Sequence, residues 1–257
     1  MSLKMKIISW NVNGLKSVLK RNFLNWVENS EADIICLQEI RIQLDEMKAT
    51  LLKPKDFFFY FNCGKRKGMW GVGVLTKEKP TKVESRIGIE RFDNEGRFLE
   101  LKYPHFTLIN FYAPHGGRQK ENLDYKLEVY GKFLDYLKER KNENLIIAGD
   151  FNIAHKEIDL ARPKENENNT MFTPKEREQI DKIIKLGFVD AFRYFHKEGG
   201  NYTWWPYSFN AKKRNLGWRI DYIFVSKSLV PKLKNAFILK EIEGSDHSPV
   251  RIEVEVK

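Results

Sequence analysis

The apolar positions of this chain fall in short runs, each closed by glycine or polar residues, and each run reads as a strand. The clearest is LIIAGDFN, Leu145 to Asn152, where an apolar run meets an expected turn at Gly149 and then delivers Asp150 and Asn152. Such a run suits a strand covered on both faces, and ligands of layered sheets gather beyond the carboxyl ends of their strands. The pattern recurs. KIISWNV over 6–12 leads to Asn11 and Asn13, DIICL over 33–37 to Gln38 and Glu39, FTLINFY over 106–112 to Ala113 and Pro114, and WRIDYIFV over 218–225 carries Asp221. Extended segments are also predicted over 57–62, 71–76, 81–87 and 97–102, separated by Gly, Pro and charged turns that favour antiparallel pairing. The final EGSDHSPVRIEVEV reads as a polar turn followed by an alternating strand of edge type.

Between these runs the period changes. Leu15, Val18, Leu19, Phe23, Trp26 and Val27 predict a helix over 15–29, and a short helix is expected over 44–52. Leu123, Leu127, Tyr130, Phe133, Leu134 and Leu137 place one apolar face on a helix over 122–140. Thr173, Pro174 and Glu176 form a capping box that starts a helix ending at Leu186, before Gly187, and Val189 to Phe195 is expected to continue as helix. The polar stretch 153–172 is long for a structureless connection and is therefore a candidate for function. Many strands with about four helices suit an α/β fold in which two sheets face each other with helices outside.

Length and charge narrow this picture. A chain of 257 residues is expected to form one domain, 1–257. It has no apolar run approaching the ~20 residues that span a bilayer, and its start enters a strand with no signal-peptide core, so a cytoplasmic protein without membrane contact is expected. Cys36 and Cys63 are too few and too differently placed for a disulfide framework and read as reduced structural thiols. A net charge of +10 favours a polyanionic partner. The excess is diffuse, with compact basic clusters only at 64–68 and 210–215, each of which alone reads as a solvated loop.

Candidate chemistry follows from the strand ends. Asn11, Glu39, Asp150, Asn152, Asp221, Asp246 and His247 all sit at strand ends or flanking turns. Singly each is a cap, a turn residue or a surface ion pair; together, in facing sheets, they would meet in one cleft. Hard oxygen donors such as Glu39 suit Mg²⁺, and a carboxylate beside His247 would set its tautomer and charge. Trp204, Trp205, Tyr207 and Phe209 are followed by Lys212, Lys213 and Arg214. That loop combines phosphate-binding charge with surfaces that could line a pocket for an extruded nucleotide. The other reading, weighed for Trp205, is an aromatic cover over the core.

The motifs IISWNVNGLK, IICLQEIR, NFYAPHGGR, AGDFNIAH, NTMFTPKER, NLGWRIDYIFVS and GSDHSPV, in this order, resemble the exonuclease III family of AP endonucleases over nearly the whole chain. The resemblance implies the four-layered α/β sandwich of the endonuclease/exonuclease/phosphatase superfamily, a DNase I-like fold of two mixed sheets packed face to face. It implies cleavage 5′ to abasic sites in duplex DNA with Mg²⁺, for which Mn²⁺ can substitute. A 3′–5′ exonuclease or 3′-end-cleaning activity is expected too, with incision at deaminated bases such as uracil if the pocket accepts an intact nucleotide. By resemblance Glu39 holds the metal with Asn11, Asn13 and Asp246 beside it. The family usually carries Asp where Asn13 stands, so that ligand is neutral here. Asp150 with Asn152 activates water, His247 paired with Asp221 contacts the phosphate, and Tyr112 faces the phosphate or leaving oxygen. Trp204 and Trp218 bound the sugar pocket, Asn166 and Asn169 lie on the loop near DNA, Arg118 inserts into DNA, and Ser208 stands where human-type enzymes carry an apolar wedge. A monomer in the cytoplasm is expected, nucleoid-associated in a prokaryote.

Two rivals share parts of this pattern. A superfamily phosphodiesterase or phosphatase acting on inositol phosphates or lipid headgroups would share GDFN and SDH, but the basic aromatic loop and GWRIDY argue against it. A non-catalytic DNA-binding relative would have no need of acidic groups beside phosphate.

Overall fold

The computed structural model describes residues 4–50 and 56–256, with nothing drawn from the side chains of 48–50. Its strands are β1 (Lys4–Asn11), β2 (Ile34–Gln38), β3 (Phe58–Asn62), β4 (Val72–Thr76), β5 (Lys82–Glu84), β6 (Phe98–Lys102), β7 (Thr107–Tyr112), β8 (Leu145–Asp150), β9 (Phe188–Asp190), β10 (Asp221–Ser226), β11 (Leu233–Ile238) and β12 (Val250–Glu255). They form two six-stranded mixed sheets, β11-β12-β1-β2-β4-β3 and β5-β6-β7-β8-β10-β9. Each sheet has one parallel pair, β1 with β2 and β7 with β8, and the remaining pairs are antiparallel.

Side-chain alternation along these strands builds the layers. Ile7, Ile34, Cys36, Val74, Leu101, Leu108, Ile146, Ala148, Ile223 and Ile252 point inward and fuse the facing sheets into one core. Their neighbours point outward. Ile8, Trp10, Ile35 and Leu37 pack under the helices α1 (Leu15–Leu19), α2 (Phe23–Asn29) and α3 (Leu44–Thr50). Phe111, Ile147, Phe151 and Phe224 pack under α5 (Leu123–Glu139) and α6 (Pro174–Lys185), while α4 (Glu90–Asn94) contributes Phe92 to the same layer. Among the described residues no helix is long and apolar enough to cross a membrane.

Inward parity also explains where the polar residues go. Met5 and Ile7 are followed on the same face by Ser9 and Asn11, Ile146 and Ala148 by Asp150, and Leu108 by Asn110 and Tyr112. Towards one end of the sandwich the core therefore turns polar while staying buried. Gln38 Nε2 donates to Ser9 Oγ at 3.0 Å and to Asn110 Oδ1 at 2.8 Å, and Asn110 Nδ2 donates to the carbonyls of Leu37 and Gly73. A buried amide left without partners costs roughly 1–3 kcal/mol, so this seam ties the two sheets together in one alignment.

Several elements depart from the sequence reading. The 15–29 helix is two helices, because Asn22 adopts a left-handed conformation at φ 68°. The chain runs straight through Gly149 instead of turning there, since β8 continues to Asp150. A Cβ at Gly149 would stand 1.8 Å from the Phe111 carbonyl oxygen, so glycine here lets β7 and β8 approach. The continuous helix expected over 189–195 is instead β9, paired with β10, followed by α7 (Ala191–Phe195), which is capped by the Asp190 side chain. The closing strand is not an edge: β12 lies between β1 and the unforeseen β11. Seven α-helices occur among the described residues, against about four expected. The end of the expected 44–52 helix, Leu51 and Leu52, lies outside those residues.

Candidate active site

The strand ends of both sheets converge on a cleft of about 240 Å³ lined by Asn13, Glu39, Arg41, Tyr112, His115, Asp150, Asn152, Met171, Trp204, Ile220, Asp246 and His247. Its floor is a hydrogen-bonded chain across the sandwich. Asn11 Nδ2 donates to Glu39 Oε2 at 3.0 Å and to Asp150 Oδ2 at 2.8 Å, joining a residue of the first sheet to one of the second. The Asn152 backbone N–H donates to Asp150 Oδ1 at 2.8 Å, and its side-chain amide donates to the Ala113 carbonyl at 2.9 Å. Asn13, Glu39, Arg41 and Asn152 all hold left-handed backbone, with φ of 45°, 55°, 51° and 51°. Such conformations are costly for side-chain-bearing residues and persist only where the surroundings impose them.

Across the floor His247 Nδ1 lies 2.9 Å from Asp221 Oδ2 and 3.1 Å from Oδ1, with both residues buried. Burial opposes charge on this imidazole, but the Asp221 carboxylate, with Asp150 and Asp246 beyond it, outweighs burial and raises its pKa to about 10. His247 is therefore an imidazolium whose Nε2–H is not used by Asp221. Asp150 moves the other way. Burial, reinforced by Asp221, lifts its carboxyl to about 7, while His247, Asn11 and the Asn152 N–H hold it from going higher. The Tyr112 phenol is pushed well above its ordinary range, first by burial and then by Glu39, and stays protonated.

Beside the floor, Asp246 accepts from Asn13 Nδ2 at 2.9 Å and from Trp204 Nε1 at 3.0 Å, which locks the SDH turn to the first strand and to the aromatic wall. Trp204, Trp218, Met171, Phe172 and Ile220 pack as one apolar cluster, with isolated bridges linking Trp204 to Trp218 and to His247. Met171 and Ile220 belong to this wall although the sequence did not single them out. Trp205 follows the core-cover reading: it is buried with Tyr202 and Ala211, and Lys212 Nζ lies 5.4 Å from its ring centroid. Ser208, Lys212, Lys213 and Arg214 form an exposed loop capped by the outward Tyr207 and Phe209.

Asn166, Asn169 and Arg118, expected near the DNA, lie outside the cleft lining. The Asn166 amide donates to the Ala161 and Arg162 carbonyls and the Asn169 amide to Asn166 Oδ1, so both brace their own loop. Arg118 is exposed beyond Gly117. Conversely, Arg41 and His115 line the cleft unforeseen. Arg41 pairs with Glu39 Oε1, and His115 Nδ1 accepts from the Gly117 N–H at 3.2 Å. Lys126, hidden in the sequence within an amphipathic helix, is wholly buried; its Nζ donates to the Asn152 carbonyl at 2.7 Å and pairs with Glu176 at 2.6 Å.

Two groupings could take a cation. Glu39, Asn11, Asn13 and Asp246 present oxygen donors of the kind Mg²⁺ favours. Ligand atoms of Asp150, Asp221 and His247 lie within 4.8 Å of one another. Mg²⁺ prefers oxygen ligands to an imidazole, and His247 Nδ1 is already engaged by Asp221, so the oxygen set on Glu39 is the better fit for that ion.

The Endonuclease/Exonuclease/phosphatase family profile matches residues 8–247. An exodeoxyribonuclease of Bacillus subtilis (strain 168) is 40% identical over 98% of this chain and 100% of its own length. A DNA-(apurinic or apyrimidinic site) endonuclease of Dictyostelium discoideum is 40% identical over 98% of this chain and 71% of its own. Among solved structures, an AP endonuclease from Archaeoglobus fulgidus superposes with a TM-score of 0.88 at 28% identity, over 98% of this chain and 99% of that one. The shared profile, the near-complete coverage and the sandwich with its polar end together show that the chain belongs to the Endonuclease/Exonuclease/phosphatase family, in the exonuclease III branch of AP endonucleases.

Proposed function

We propose that this enzyme hydrolyses the phosphodiester bond on the 5′ side of abasic sites in duplex DNA, leaving a 3′-hydroxyl, and trims damaged 3′ ends by the same chemistry. The observation that carries this reading is the meeting of Asp150, Asn152, the His247–Asp221 pair and Glu39 on one cleft floor beside an aromatic wall. Asp150, with its carboxyl lifted to about 7, takes the proton of the attacking water near neutral pH, and Asn152 orients that water. The His247 imidazolium donates Nε2–H to a non-bridging phosphate oxygen. The protonated Tyr112 phenol donates towards the phosphate or leaving oxygen. Mg²⁺ held by Glu39, with Asn11, Asn13 and Asp246 around it, would neutralise charge on the phosphoryl group. Catalysis is thus mostly positioning and charge stabilisation.

The apolar wall of Trp204, Trp218, Met171 and Ile220 would receive the extruded sugar, Lys212, Lys213 and Arg214 the flanking phosphates, and Arg118 would insert into the DNA. On this reading the protein acts as a monomer, where the chromosome is. The test is incision of labelled duplexes carrying one abasic site, one deoxyuridine or no lesion, with and without EDTA. Incision 5′ of the abasic site alone, abolished by EDTA and restored by Mg²⁺, is expected. Incision at deoxyuridine would mean the pocket also takes a base, and absence of cleavage on every duplex overturns the reading. Asp150→Asn is expected to lose about 10²–10⁴-fold in kcat while still binding the abasic duplex, because a general base is removed without altering shape.

A further inference from the structure

Arg97 sits directly behind Tyr112 and is 6% exposed. It precedes β6 and faces the end of β7, where its backbone carbonyl accepts the Tyr112 N–H at 2.9 Å. One flat guanidinium makes three kinds of contact. Its Cζ lies over the Tyr112 ring, 4.3 Å from the centroid. Its Nε pairs with Glu95 at 2.5 Å. Its Nη1 reaches towards the Tyr112 and Ala113 carbonyls, at 3.4 and 3.3 Å. Glu95 is itself fixed by the Tyr125 hydroxyl and Arg91 Nε, both at 3.1 Å. The cluster is built around the ring, yet Arg97 does not line the cleft.

A phenol that must meet a phosphate oxygen is useful only in one ring orientation. Apolar packing alone leaves a planar ring free to tilt, whereas a cation stacked on its face and bonded to its own backbone does not. We propose that Arg97 is a positioning residue for Tyr112, fixing the tilt of the phenol over the cleft. The inference rests on the incision chemistry assigned above to Tyr112. Lysine cannot replace this arrangement, because an ammonium has no plane to stack while pairing edge-on with a carboxylate.

The test is a double-mutant cycle of Arg97→Lys and Tyr112→Phe on the abasic duplex. Arg97→Lys is expected to lower kcat about tenfold with KM changed less than about twofold, and to lower it only about threefold or less when Tyr112 is already Phe. Equal losses in both backgrounds would show a general structural role and overturn the inference. Should Arg97→Lys fail to fold, the paired variant Glu95→Gln/Arg97→Gln keeps the buried site neutral and enters the same cycle. A second readout is independent of turnover: the aromatic NMR signals of Tyr112, assigned by their loss in Tyr112→Phe, should shift in Arg97→Lys. If the wild type incises no abasic duplex, the proposed function fails, and these signals still decide whether Arg97 sets the ring; unmoved signals overturn the inference.

Discussion

At the scale of single residues, the site depends on burial and neighbouring carboxylates acting together on one group and against each other on the next. Asp150 and His247 lie on the same floor, yet the carboxyl is raised because burial and a neighbouring carboxylate disfavour its charge, while the imidazole is raised because carboxylates surround it. The carboxyl is thus moved up into the neutral range, while the imidazole is held protonated across it. The same scale contains a purely steric requirement. At Gly149 a methyl group would collide with the backbone of β7, which no rotamer change relieves. Gly149→Ala is expected to destabilise the fold by about 3 kcal/mol or more, as overpacking in a close-packed core does, seen as a fall in the thermal midpoint. A midpoint within a degree of wild type would contradict the close approach of β7 and β8.

At the scale of elements, two buried ion networks fasten helices and loops to the sheets. Arg219, 1% exposed, joins Asp159 to Asp190 with bonds of 2.7 Å, and Arg193 pairs with Asp159 at 2.6 Å. The turn at 157–159, β9, α7 and the approach to β10 are pinned at one point. Burial would raise the Asp159 carboxyl, but Arg219 and Arg193 outweigh it and hold it at about 2, below its ordinary 3.8. A depressed carboxyl contributes stability above its unfolded pKa and loses it as pH falls towards the folded value. Between about pH 4 and pH 2 the protein should therefore lose about 2 kcal/mol through this group, and Asp159→Asn should be less stable at neutral pH and show a flatter acid limb. Equal acid limbs in urea titrations of the two proteins would exclude it. The second network is Lys126 with Glu176, whose carboxylate also accepts from Met171 N and closes the capping box on Thr173. Removing one partner of such a pair costs about 3–5 kcal/mol, so Lys126→Met should lower the thermal midpoint strongly and loosen the Asn152 turn; an unchanged midpoint would show the pair to be dispensable.

These elements also show what a sequence discloses. The capping box at Thr173 and the β8 run were legible because their signals are local: a side chain bonding three residues away, an unbroken apolar run. β9 and β11 were not, since FVD is too short to show a period and LKNAFI mixes Lys and Asn into a strand stabilised by its neighbours. On the site, Asp150, Glu39 and His247 could be anticipated from strand ends and from the family's motifs. Lys126 and Arg97 could not, because a lysine in an amphipathic helix and an arginine before a strand look solvated until distant partners are placed beside them, Glu176 for Lys126, 50 residues on, and the Tyr112 ring for Arg97. The apolar face of α5 agrees with the spacing at Tyr130, Phe133 and Leu137, which are buried, and at Leu134, which packs against the core. Its buried stripe runs through Lys126, Val129, Tyr130, Phe133 and Leu137, leaving Leu123, Leu127 and Leu134 only partly covered.

At the scale of the molecule, a net charge of +10 sets the long-range attraction to DNA. Binding of abasic duplex should weaken with salt along a straight log–log line whose slope counts the phosphates contacted. Replacing Lys212, Lys213 and Arg214 with Gln should reduce that slope by up to about three, and a slope unchanged by the triple variant would remove this loop from the DNA-binding face.

The sheet order has a further consequence. β12 pairs with β1 along its whole length, from Glu255 opposite Lys4 to Val250 opposite Ser9. During synthesis one side of β1 must wait for the last strand of the fold, while the entire second sheet is made between them. His247 emerges only just ahead of that final strand. A ribosome that stalls midway releases a polypeptide lacking both the closing strand and His247, so an unfinished copy would lack the His247–Asp221 pair on which the proposed incision depends.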